Sequence, residues 1–299
     1  MKTFFPALAF TCSLLVISCK QETKKQTHTN LTTITSDIKS DAKLSLIWQT
    51  DTIFKTTESC LYDAKRKVIY VSNVNNAPRT KDHNGFISKL DKDGKLIALT
   101  WAKEMSAPKG MGLFNDTLYA TDIDAVVAID INTGAIKDRY TLEGALMLND
   151  ITIDAKGVVY VTDMDTGKIY TLKGGVFTLW MENLNKPNGL LVDGTTLVVA
   201  FNGDHNLKSF DITTKKEVKL LASNTGNSDG VVKTNAGNYV VSDWKGEIFY
   251  VTNGTATSLY NTVADRKAQT ADIGIIPNDN IILVPTFFGN GVKAFKLTE

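Results

Sequence analysis

The stretch Asn149-Asp150-Ile151-Thr152-Ile153-Asp154-Ala155-Lys156-Gly157-Val158-Val159-Tyr160-Val161-Thr162-Asp163 decides the fold. Alternating apolar residues, a turn at Gly157, a second apolar run and a closing aspartate are the pattern of a short β-hairpin. Ser228 to Asp243 has the same layout, with Val231-Val232, Gly237 and Tyr239-Val240-Val241-Ser242-Asp243 in the matching places. The unit recurs from Asn188 to Asn202 and from Asp272 to Pro285. Tyr119-Ala120-Thr121-Asp122-Ile123-Asp124 echoes Tyr160-Val161-Thr162-Asp163-Met164-Asp165, and Tyr70-Val71-Ser72-Asn73 falls in the same column. The chain therefore carries six copies of one unit.

Spacing identifies the architecture. Asn149 and Asn188 are 39 residues apart, Asn188 and Asp229 are 41, and Glu58 lies 91 before Asn149, two units of about 45. That is the period of four-stranded propeller blades. Third strands follow the hairpins, as in Gly246-Glu247-Ile248-Phe249-Tyr250, and fourth strands after those, as in Val218-Lys219-Leu220-Leu221. The reading is all-β, a six-bladed β-propeller over 43–299. Its last unit has only three strands before Glu299, whereas Lys43-Leu44-Ser45-Leu46-Ile47-Trp48 precedes the first unit without a blade of its own. This N-terminal strand is expected to close the last blade and remove its open edge.

Upstream of the repeats, Lys2 and an apolar run from Phe4 to Ile17 have signal-peptide length, too short for a membrane-spanning helix. The run ends in Val16-Ile17-Ser18-Cys19, which resembles the lipobox of bacterial lipoproteins. Residues 1–18 are read as a signal peptide, Cys19 as the lipidated residue and 19–42, rich in Lys, Gln, Thr and Asn, as a disordered tether. The expected location is an exported lipoprotein, periplasmic or at the cell surface, held by its lipid alone, with Lys20 favouring the outer membrane. With Cys12 and Cys19 assigned to this segment, Cys60 remains, and its alternating context marks it as a buried small hydrophobe.

Of 299 residues, 33 are Lys or Arg and 32 Asp or Glu, a formal net charge of +1. There is no field to collect a polyanion, so nucleic acid is not an expected partner. A monomer acting on a small molecule is.

In a propeller the first strand of each blade lies innermost, so the residue leading into it faces the central channel. That column reads Glu58, Lys109, Asn149, Asn188, Asp229 and Ala271. Four oxygen-bearing side chains, two of them anionic, without His or Cys, suit one hard divalent cation: Ca2+ first, Mg2+ or Mn2+ as alternatives. A second column, Asn73, Asp122, Asp163, Asn202 and Asp243, reads as turn chemistry. His83 and His205 lie in loops on that face, where an imidazole could shuttle protons.

As an ordered set these motifs resemble the senescence marker protein (regucalcin) and gluconolactonase family and, more distantly, the paraoxonases. Glu58 with Tyr62-Asp63, Asn149-Asp150, Pro187-Asn188-Gly189 and Asp229-Gly230 match its pattern over Glu58 to Leu297. The resemblance implies a lactone or ester hydrolase with Glu58, Asn149, Asn188 and Asp229 as metal ligands. It makes Asp229 the general base as well, and places Asn149 against substrate. Lys109, His83, His205 and Met147 would stand behind them or contact substrate. Met147 occupies the position where the sugar-lactone enzymes place arginine, which removes a fork suited to sugar oxygens. Met147, Met164, Trp244, Phe287 and Phe288 would then either line the mouth or pack between blades, with Arg79 and Lys81 as replacement charges. The loop from Asn73 to Asn84 would be a lid. A binding propeller without chemistry, or a metal-dependent lyase with a histidine base, are the alternative readings.

Overall fold

The computed structural model describes residues 1–4, 41–265 and 268–299. The described residues from Asp41 to Glu299 belong to one compact unit. The signal peptide, the lipobox with Cys19 and nearly all of the tether lie outside the described residues. Ala42 departs from the tether reading: it is 7% exposed and packs on the last blade.

Twenty-four strands among the described residues form six antiparallel four-stranded sheets. Five blades are consecutive runs, whose innermost strands are Thr57–Asp63, Pro108–Phe114, Leu148–Ile153, Pro187–Asp193 and Ser228–Lys233. Blade 6 consists of Gly274–Ile276, Ile281–Pro285 and Val292–Thr298, completed on the outside by Lys43–Gln49. Lys43 pairs with Thr298 and Gln49 with Lys293, so the expected closure by the N-terminal strand is present. Deleting 42–49 removes this ladder and the cover of Leu44 and Trp48, and leaves the edge open to self-association. The expected cost is about 3 kcal/mol, read as a melting temperature lower by roughly 10 °C and concentration-dependent light scattering.

Alternating residues make each sheet apolar on both faces, and the burial follows from stacking one blade on the next. A separate apolar cluster fills every seam: Tyr70, Ile87, Met111 and Leu118 between blades 1 and 2, and Ile69, Val71, Leu283 and Val292 between blades 6 and 1. Cys60 sits in the latter cluster, 3% exposed, with its thiol pushed well up by burial and by Asp272 and Glu58. That makes it a core side chain and a poor nucleophile.

Hydroxyls tie neighbouring inner strands together. Thr162 Oγ1 accepts the Asp150 amide at 3.0 Å in its own blade and donates to Asn188 O at 3.0 Å in the next. Thr121 donates to Asn149 O at 2.6 Å, and Ser242 to Ala271 O at 2.7 Å. Ala271 thus stands in the same column as Asn149 and Asn188.

Candidate active site at the channel mouth

Every inner strand of blades 1 to 5 carries one extra residue against its neighbour. Leu148 pairs with Asp163 and Ile151 with Val161, so three steps on one strand meet two on the other. The same slip occurs between Thr57 and Cys60, Pro108 and Met111, Pro187 and Leu190, and Ser228 and Val231. Glu58, Lys109, Asn149, Asn188 and Asp229 each lie within these bulges, which break the alternation and re-aim a side chain. All five are buried yet line one cavity of about 360 Å³.

The second column holds these bulges in place. Asp163 accepts the amides of Leu146 at 3.0 Å and Met147 at 3.1 Å, immediately before Asn149. Asp122 accepts those of Ser106 and Ala107 before Lys109, and Asp243 that of Asn227 before Asp229. In blade 1, Asn73 Oδ1 accepts the Lys55 amide at 3.0 Å. The turn reading holds for Asn73, Asp122, Asp163 and Asp243, whose turns position the site, whereas Asn202 lines the cavity itself. Asp163→Ala removes the acceptor of three amides, those of Leu146, Met147 and Thr166, and is expected to cost about 2 kcal/mol by denaturant unfolding.

Burial first, and then Asp229 and Asp272, push Glu58 well above the ordinary carboxylate range. Burial and then Asp272 hold Asp229 at about 8, against a hydrogen bond from Asn188 Nδ2 at 2.8 Å. Burial also pulls the Lys109 ammonium below its ordinary range, opposed by Glu58. Two acceptors are orphaned: Glu58 Oε2 and Asn188 Oδ1 are buried with no hydrogen-bond partner. Among the described residues no three His, Cys, Asp or Glu side chains gather around one point. The donor set is two carboxylates and two carboxamides.

Over the cavity runs the first-blade loop. Val74, Asn76, Pro78 and Arg79 line it, and Lys109 Nζ donates to Pro78 O and to Ala107 O, both at 3.1 Å. The Arg79 guanidinium pairs with Asp165 of blade 3, and Lys81 with Asp124 of blade 2 at 2.5 Å. Lys81 is thereby held outside the cavity, unlike Arg79. Exposed ion pairs contribute at most about 1 kcal/mol each, so this loop is latched weakly. Arg79→Ala is expected to leave the melting temperature within about 2 °C while increasing protease cleavage at 75–84.

Met147, Met164, Trp244, Phe287 and Phe288 all face the same cavity. Trp244 and Phe287 meet edge to face at 4.5 Å, and Phe287 and Phe288 at 4.8 Å. The mouth therefore has an apolar wall. His83 and His205 do not line it, contrary to the proton-shuttle expectation. Both are exposed in left-handed turns, and His205 Nδ1 is engaged by Gly226 O at 2.7 Å.

Two axial residues stand outside the column read from the sequence: Asp150, next along the bulged strand from Asn149, and Asp272, which follows Ala271 just ahead of the first strand of blade 6. Both are buried on the axis. Strict alternation would have turned them away from it; the signal was an aspartate where the corresponding position of blades 2, 4 and 5 is glycine.

A six-bladed propeller with carboxylates and carboxamides converging at one end of its axis is the class of protein this chain defines. No protein-family model and no curated protein matches the sequence. Among solved structures, a gluconolactonase from Xanthomonas campestris is similar with a TM-score of 0.67 at 15% identity, over 86% of this chain and 90% of that one. A virginiamycin B lyase from Staphylococcus aureus, in a catalytically inactive form with quinupristin, gives 0.59 at 15% identity over 86% and 100%. A chain of a nidogen/laminin complex gives 0.54 at 21% identity over 69% and 76%. Gluconolactonases are thus among the structural neighbours, and at these identities the likeness is one of fold.

Proposed function

We propose that the protein is a metal-dependent hydrolase of a lactone or ester with an apolar arm. One observation carries this reading: Glu58, Asn149, Asn188 and Asp229, from four blades, meet in one cavity where Glu58 Oε2 and Asn188 Oδ1 lack any partner. Buried orphaned oxygens cost about 1–3 kcal/mol each, and a hard cation relieves that cost. The four side chains fit such an ion, calcium ahead of magnesium or manganese. When bound it supplies Lewis-acid polarisation of the carbonyl. Asp229 accepts a proton from the attacking water, its carboxylate oriented by Asn188 Nδ2. Asn149 and Lys109 offer N–H donors to the acyl oxygens, and Trp244, Phe287 and Phe288 hold the apolar arm. Closed, the 74–84 loop excludes bulk water.

The lyase reading required a histidine base, and neither loop histidine reaches the cavity. Metal analysis of detergent-solubilised protein, followed by a panel of lactones and aryl esters with and without chelator, tests the proposal. One equivalent of divalent metal and chelator-sensitive turnover are expected. Metal-free protein with no turnover on any member would replace the proposal with a binding propeller.

We propose further that the chain is a monomeric exported lipoprotein held in the outer membrane through Cys19. The lipobox supports this. Labelled palmitate should enter wild-type protein and not Cys19→Ser; label retained in the variant would overturn it.

A further inference from the structure

The channel has a second mouth, at the opposite end of the axis from Glu58 and Asp229. A cavity of about 420 Å³ opens there, walled by Leu61, Met111, Ile153, Leu191, Val231 and Ile275. Ser59, Asp150 and Asp272 also line it. Its walls are therefore largely apolar and its titratable groups are carboxyls, both pushed up by burial, Asp272 to about 7.

The two carboxylates differ in how they are satisfied. Asp150 accepts the Ile151 amide at 2.6 Å and the Leu190 amide at 2.5 Å, one on each oxygen. Asp272 Oδ2 accepts Ser59 Oγ at 2.5 Å, Oδ1 takes no hydrogen bond from any described residue, and the residue is 9% exposed. No cationic side chain of the described residues pairs with either carboxylate. Room for Asp272 is built in, because a Cβ on Gly230 would collide with Oδ1. Buried carboxylates without a counter-charge are costly. The pocket thus offers an open anionic acceptor beneath an apolar collar, and the charge-complementary occupant of that shape is a cation with a hydrocarbon body.

We infer that this second mouth is a binding site for an organic cation, a primary ammonium carrying an aryl or short alkyl group, with the ammonium on Asp272 Oδ1 and the apolar group against the half-buried Leu61, Leu191 and Ile275. The inference does not depend on the reaction proposed for the first mouth. The ammonium supplies three donors to Asp272 and the neighbouring Asp150 oxygens. Its hydrocarbon end covers the exposed parts of Leu61, Leu191 and Ile275.

Titration calorimetry of the full-length protein with phenethylammonium chloride at pH 8 tests it. Saturable binding at one site is expected, with the neutral isostere 2-phenylethanol at least tenfold weaker. Asp272→Asn keeps an acceptor for Ser59 and removes the charge, and it should weaken the ammonium at least tenfold. Leu191→Trp fills the collar with Asp272 intact and should do the same, so the test stands if one variant fails to fold. No saturable heat, equal binding of the alcohol, or affinity untouched in both variants would overturn the site. So would competitive displacement of the ammonium by calcium chloride that is lost in Asp272→Asn, since the pocket would then belong to an inorganic cation.

Discussion

Asp229→Asn is expected to lower turnover of the best lactone or ester by at least about 10³-fold while the melting temperature stays level or rises. The two readouts part because the charge is what catalysis uses and what folding resists. Asp229 is buried with Asp272 and Glu58 as like-charged neighbours, and burial is the main reason its carboxyl titrates at about 8. An amide of the same shape still accepts Asn188 Nδ2 through its oxygen, and it removes a buried like-charge repulsion. Asparagine can neither take a proton from water nor give a cation anionic charge. Glu58→Gln should behave alike, with bound metal falling below one equivalent in both. Full turnover in Asp229→Asn would remove this residue from the chemistry.

Gly189→Ala is expected to destabilise the fold by about 3 kcal/mol, a fall of roughly 6–12 °C in melting temperature. The inner strands approach so closely at this point that a Cβ on Gly189 would overlap the carbonyl oxygen of Asp229 in the next blade. That neighbour is backbone, with no rotamer to move aside. The strand must shift, carrying Asn188 and Asp229 with it, so metal affinity should fall along with stability. Gly194→Ala is the contrast. Gly194 has φ near 62°, but a Cβ added there would meet nothing within 4 Å, so only the left-handed backbone penalty of about 1 kcal/mol applies. Thermal melts of the two variants side by side separate crowding at the axis from backbone strain at a hairpin turn.

Six blades, the closing N-terminal strand and the channel-mouth column were legible because all three rest on periodicities. Alternation within a strand fixes which residues are apolar, and a repeat near 40 residues fixes which positions coincide around the ring. The column from Glu58 to Ala271 follows from counting. Other features lay beyond counting. Whether Met147, Trp244 and Phe288 line the mouth or fill a seam depends on the rotation between blades, which no single unit encodes. The fate of Arg79, Lys81 and the two histidines depended on where a long loop comes to rest and which aspartates it meets there.

The amino-acid sequence by itself determined the repeat, the ring and the residues that rim its first mouth, because hydrogen-bonded strands impose a period on any chain that forms them. Only the tertiary structure decided that Asp150 and Asp272 also face the axis. At Asp150 a bulge inserts one residue into the inner strand without interrupting its apolar pattern, and this extra step turns two successive side chains toward the channel where alternation allows one; Asp272 lies ahead of its blade's first strand, held by its amide donating to Glu58 O of the first blade.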